Sequence, residues 1–369
     1  MSSSSVATGL SYGPPTNPRH AATAVTSALE KAGLDHANSV LLFLTPEFAQ
    51  NPQPALRAAA RAGRCTQIVG CTAPGVITDE EWLLDSCGAA AMVFGGDVFL
   101  KPPTADSAQD QHLLTFSTPE SVSTEWLDDS VPRVGAVSAD VFGHGPFTVW
   151  SGGRQCPEGY IEVAFHGVRH SVVASRGIRP LSTPFEVAEA QGFDILRIGG
   201  ERALNALVKS LPISVRKLDR IPLHLLMYGV TFGDPQTAIR DGRYDLNHIV
   251  SANPDDSSIT VSHEPTRGEK MFWAMRDELA AERDMARTIE RGHDRLLADP
   301  GFALLFPCMS RGPSFYGNRD RDVELVKTRF PNMPFIGFYG NGQIAPLKHG
   351  SRLYQYSTVL ALYCADSAA

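Results

Sequence analysis

A chain of 369 residues is too long for one small core, so about two domains is the starting expectation. Its 43% hydrophobic and 20% charged residues are ordinary for a soluble globular protein, and no apolar run reaches the roughly 18 residues of a membrane span. A net charge of -7, with Lys and Arg scattered, excludes the basic face that nucleic acid requires.

Met1 to Ser5 is a serine tract without the apolar core of a signal peptide, and residues 1–16 read as a disordered tail. Asn17-Pro18 starts a helix that Gly33 stops, with Ala21, Ala24, Val25, Ala28, Leu29 and Ala32 on one face. A buried strand follows at Val40 to Leu44, then an alanine-rich helix from Pro54 to Arg61, then strands at Ile68-Val69 and Ala89 to Phe94. Residues 101–132, rich in Pro, Ser, Thr and Asp, read as a long surface connection. Short strands come next, at Val134 to Val137, Phe147 to Trp150, Ile161 to Phe165 and Val172 to Ala174, with a hairpin at Ser151-Gly152-Gly153-Arg154. A helix is expected at Glu201 to Leu211, strands at Leu223 to Tyr228 and Ile259 to Val261, and the longest helical region at Gly268 to Leu297. From Phe302 on, the order is strand, helix (Asp322 to Arg329), strand, glycine turn, strand.

That closing order repeats the opening one. The turn Phe335 to Ile344, with Gly337, Gly342 and a closing Ile344, matches Ile68 to Ile77, with Gly70, Gly75 and a closing Ile77. A strand precedes each by about thirty residues and another follows, which argues for a duplicated unit. The expected fold is therefore α+β, with two pseudo-repeated halves. Their mixed β-sheets should pack near each other with helices outside. The domains are expected at residues 17–190 and 191–369.

Three constellations carry chemistry. Cys308 and Arg311, just after the strand Phe302 to Phe306, offer a thiol and a planar donor fork for a carboxylate; the bland alternative is a buried thiol and an ion-paired arginine. The glycine turns offer backbone donors, with the Asn341 amide beside them, or else are tight corners at sheet ends. Nucleophilic catalysis through Cys71 or Cys308 needs a base, and none of the eleven histidines is paired with either by sequence, so no enzyme is expected. The six cysteines show neither CxxC nor zinc spacing, so no metal is expected, and a reducing cytoplasmic setting accounts for them.

These segments resemble a known family. Val40 to Leu44 with Ile68 to Ala73 resembles the N-terminal half of the FIST family (F-box and intracellular signal transduction proteins). Phe302 to Gly312 resembles the opening of its C-terminal half, and Gly337 to Pro346 is similar to that half's closing motif. The resemblance implies an intracellular sensory module that binds a small ligand, with amino acids proposed, and a stand-alone protein with tandem domains. The chain departs from the pattern at Gln343, where members commonly have Glu, and at Ala345, where Gly is usual.

The functional expectation is a ligand-binding sensor for an amino acid or other small carboxylate. Its site would be Cys71, Thr72, Cys308, Arg311, Asn341, Gly342 and Gln343. The partners expected are the small ligand and a signalling protein, with no nucleic acid and no membrane. No cofactor is expected; a haem protein, a thiol enzyme and a ligand-free adaptor are the alternatives.

Overall fold

In the computed structural model of the chain, residues 5–104, 112–123, 130–218, 220–346 and 350–366 are described. Helix and strand are mixed, in four sheets. The chain divides into two compact units, residues 1–176 with 284–369, and residues 177–283.

The strands in chain order begin with β1 Val6–Tyr12, β2 Ser39–Leu44, β3 Ile68–Thr72, β4 Gly75–Thr78, β5 Trp82–Leu84 and β6 Gly88–Phe94. Next come β7 Phe99–Lys101, β8 Leu113–Ser117, β9 Arg133–Val137, β10 Val149–Ser151, β11 Arg154–Gln155, β12 Tyr160–His166 and β13 Val168–Ser175. The second unit holds β14 Ile178–Pro180, β15 Phe185–Gln191, β16 Asp194–Ile198, β17 Glu201–Arg202, β18 Leu226–Thr231, β19 Tyr244–Asn253, β20 Ser258–Val261 and β21 Lys270–Arg276. The first unit resumes with β22 Phe302–Pro307, β23 Phe335–Phe338, β24 Gln343–Pro346, β25 Ser351–Tyr354 and β26 Thr358–Ala365.

The first unit lays down one pattern three times. The sheets run β1-β6-β2-β3, β7-β12-β8-β9 and β13-β26-β22-β23. In each, the last two strands are parallel and the other neighbours antiparallel. Each repeat then passes its hairpin to another: β4–β5 pairs with β23, β10–β11 with β3, and β24–β25 with β9. Three sets of backbone hydrogen bonds recur in step. Ala73, Ser138 and Gly340 N–H donate to Leu44, Ser117 and Pro307 O at 2.9, 2.7 and 2.9 Å. Thr72, Val137 and Tyr339 N–H donate to Thr148, Gly342 and Gly75 O at 2.9, 2.9 and 3.1 Å. Thr45, Thr118 and Cys308 N–H donate to Gly88, Gly159 and Ser357 O at 3.1, 2.7 and 2.8 Å. The unit is thus a pseudo-threefold closed by hairpin exchange: the two copies expected from the sequence are both present, and β7-β12-β8-β9 is a third.

One glycine per repeat makes the parallel pairing close. Gly70 lies against Leu42, Gly135 against Thr115 and Gly337 against Leu305. A Cβ at these positions would fall 1.8, 1.9 and 1.6 Å from the facing carbonyl oxygen, so only glycine fits. The next residue along each facing strand is Phe43, Phe116 or Phe306. Phe43 and Phe116 meet at 5.3 Å, Phe116 and Phe306 at 5.8 Å, and Phe338 touches all three. Towards the other strand ends Phe94, Phe165 and Tyr363 form a second layer around Phe302. Helices cover two of the sheets. Arg19–Ala32 and Gln53–Gly63 bury their alanine-rich faces on Val40, Leu42 and Leu44, while Met285, Ile289, Val323 and Val326 cover Leu305, Leu360 and Leu362. In the middle repeat the described residues between β8 and β9 hold a 3-10 turn, Pro119–Ser121.

The second unit is an antiparallel barrel. Its order β21-β15-β16-β20-β19-β18 closes because β18 also pairs with β21. Val187, Ile195, Tyr228, Ile259 and Trp273 fill it, with Ala203 and Leu207 of helix Ala203–Ser210.

Four expectations change. Residues 6–12 of the expected tail are a strand paired with β6, and its Gly9 backs closely onto Ala24 and Ala28 of the helix Arg19–Ala32. Within 101–132, Leu113–Ser117 is a fully buried strand; residues 105–111 and 124–129 lie outside the described set. Lys270–Arg276 is a strand of the barrel, and the helix begins only at Glu278. The boundary expected at 190/191 falls inside the second unit, which interrupts the third repeat between β13 and β22.

Candidate functional site

The β4–β23 pairing brings the two glycine turns together, but mostly as internal structure. Cys71 takes the place that Ala136 and Phe338 take in the other repeats and lies in the central core, where burial pushes its thiol well up. The Thr72 hydroxyl accepts from Thr148 N–H at 3.2 Å and sits 3.4 Å from Ser138 Oγ. Cys308 matches Thr45 and Thr118 by its backbone bond and is buried. Gly342 lends its carbonyl to Val137. Gln343 is fully buried; its Nε2 donates to Gly340 O at 3.2 Å and its Oε1 accepts from Ser357 Oγ at 3.1 Å. A glutamate there could not donate to Gly340 O, which gives the departure at 343 a structural use. Asn341 alone of the seven is exposed, with its N–H on Val137 O.

Arg311 is 2% exposed and its carboxylate is the protein's own. Nε lies 2.9 Å from Asp322 Oδ2, and Nη2 donates to Asp322 Oδ1 at 3.1 Å and to Ser175 Oγ at 2.8 Å. Nη1 donates to Ser175 O at 3.0 Å, and Tyr316 OH donates to Asp322 at 3.0 Å. Burial alone would lower the guanidinium pKa; Asp322 and Tyr316 more than reverse this and hold it above its usual value. Beside it Asp320 caps the helix Arg321–Arg329 and accepts from Tyr339 OH at 2.5 Å. Burial, then the Asp322 charge, pushes the Asp320 carboxyl up to about 7. Arg311, read as a ligand contact, is thus part of a brace with Ser175, Tyr316 and Asp322, beside the Asp320–Tyr339 bond, that ties β13, β22 and β23 to that helix.

An open cleft of about 340 Å³ lies at the opposite strand ends. Val98, Phe302 and Cys364 form its floor, and Val6, Arg169 and Asp299 stand at its rim. Arg169 Nε is 3.9 Å from Asp366 Oδ1, both side chains being 49% exposed, so its fork remains open to solvent. Asp299 follows the carboxyl end of helix Glu278–Leu296 and lies 3.4 Å from His293 Nε2. The pseudo-threefold explains the opening. In the corresponding places the His112 and His170 rings meet at 4.0 Å, and Leu100 N–H bonds Ser39 Oγ at 2.9 Å; in the third such place Phe302 and Val6 both line the cleft. Sequence reading missed Arg169 and Asp299. A charged residue at a strand start and another past a helix end are ordinary surface features, and only the packing makes them neighbours.

The FIST N domain matches residues 38–201 and the FIST C domain matches residues 203–346. The chain belongs to the FIST family. The border between the two FIST matches lies inside the barrel unit, so the family's domains and the compact units divide this FIST chain differently. An uncharacterized protein of Mycobacterium bovis, Mb0898c, is 26% identical over 324 residues, covering 81% of this chain and 83% of its own. An uncharacterized protein of Mycobacterium tuberculosis, MT0656, is 23% identical over 318 residues, covering 80% and 83%. Among the described residues no helix is long and apolar enough to cross a membrane, and all six cysteines are unpaired.

Proposed function

We propose that this FIST protein is a small-ligand-binding sensor whose ligand is an amino acid or another small carboxylate. The observation that carries the reading is the cleft around Phe302. Arg169 supplies a planar fork for a carboxylate, in exchange for its loose contact with Asp366. Asp299 and the carbonyl end of helix Glu278–Leu296 supply negative charge for an ammonium group. Unpaired cysteines favour a reducing, cytoplasmic setting. The protein acts by binding and passes its state to a signalling partner.

The test is calorimetric titration with a panel of amino acids and simple carboxylates. Arg169→Ala should weaken any carboxylate ligand about tenfold or more, and Asp299→Asn should weaken only those with an amine. A ligand whose affinity ignores both substitutions, or a panel with no binder, refutes the cleft.

A further inference from the structure

The three repeats differ in one turn. From Gly70 to Ile77 and from Gly337 to Ile344 the interval is seven residues, while from Gly135 to the equivalent Trp150 it is fifteen. The extra length forms a loop that carries Val141, 53% exposed, and Phe142, 80% exposed. This loop is held in shape. The Asp140 carboxylate accepts N–H bonds from Gly143, from His144 at 3.2 Å and from Gly145 at 2.8 Å. Its roots are tied as well, because Ser138 Oγ donates to Thr72 O at 2.5 Å and Thr148 N–H donates to Thr72 Oγ. An aromatic side chain offered to water on a clamped backbone has already lost the backbone entropy that binding would otherwise remove.

We propose that the Val141-Phe142 loop is a docking finger for a protein partner that presents an apolar pocket, and that it serves as the output contact of the sensor proposed above. Residues 138–153 carry no Lys or Arg and include Asp140, which argues against an anionic membrane surface as the occupant, since that would need cations. Two side chains bury a small area compared with the roughly 1,200 Å² of a stable interface, so the contact is a transient one anchored by a single aromatic, not a permanent dimer.

The test replaces Phe142 in the full chain with the photo-crosslinker p-benzoylphenylalanine, irradiates cells that natively make the protein, and identifies what is joined. The same probe at Leu297, which is 83% exposed, is the control. The joined protein is then purified and titrated. Phe142→Ala should weaken it at least tenfold, Val141→Ser less, and Asp140→Ala should weaken it with the apolar side chains intact. Crosslinks only to a second copy, only to lipid, or to the same proteins as at position 297 overturn the proposal, as does a partner indifferent to Phe142→Ala. Ligand titration of the Phe142→Ala protein keeps the two readings apart: unchanged ligand affinity leaves the cleft standing whether or not the finger does.

Discussion

Arg311 shows how one residue type in one place can be read in two ways. A guanidinium at a strand end can receive a ligand's carboxylate or pair with its own, and the tertiary fold decides by delivering Asp322, eleven positions on, to 2.9 Å from Nε. Removing one partner of a buried pair leaves the other charged and unpaired. Arg311→Ala should therefore destabilise the protein by about 3–5 kcal/mol in urea unfolding, while the double change Arg311→Met with Asp322→Leu should recover much of the loss. The neighbouring Asp320 adds a pH dependence. Its carboxyl binds a proton up to about pH 7 in the folded chain but only to the usual carboxylate range when unfolded. The folded state thus holds the extra proton between those limits, and this contribution to stability is lost as pH rises from about 4 to 7. Asp320→Asn keeps a neutral cap acceptor, so its melting temperature should lose that fall across the window and exceed the parent's at pH 7. Parallel melting curves for the two proteins would contradict this account.

At the scale of the element, the parallel strand pairs depend on a glycine and a phenylalanine side by side. Gly70, Gly135 and Gly337 let the facing backbone close in, and Phe43, Phe116 and Phe306 then reach the shared core. Gly135→Ala would set a methyl 1.9 Å from Thr115 O and must prise β8 from β9. A loss of about 3 kcal/mol or more is expected, or failure to fold, as measured by chemical unfolding. Gly152→Ala, where nothing lies within 4 Å of the added carbon, is the control and should cost far less even at its left-handed backbone. Two of these three glycines were legible because seven residues after each comes an isoleucine that pairs across the sheet. The third was hidden: Trp150 stands in the place of the isoleucine, the interval is longer, and the repeat's strand Leu113–Ser117 sits in a stretch whose composition reads as a loop. Propensity is a local signal, whereas that strand is held by neighbours from elsewhere in the chain, β12 and β9.

At the scale of the molecule, the hairpin exchange makes each repeat complete only through another, so one repeat cannot be excised without exposing the strand it pairs with. The long turn is separate from this scaffold. Deleting residues 139–146 restores the seven-residue interval seen in the other repeats, and the melting temperature should stay within a few degrees while docking through Phe142 is lost. A collapse of the fold would mean that the turn is structural. The amino-acid sequence by itself determined the mixed class, the opening and closing strand-helix-strand order and the two glycine turns, because these rest on short-range periodicity and backbone permissiveness, and its motifs carried the resemblance to the family. Only the tertiary structure decided that there are three repeats, that residues 177–283 form a barrel of their own, that Arg311 and Gln343 are spent internally, and that Arg169 and Asp299 share a cleft. Those outcomes depend on which distant segments become neighbours. Pairing energies between residues far apart in the chain leave no mark on the local pattern of either.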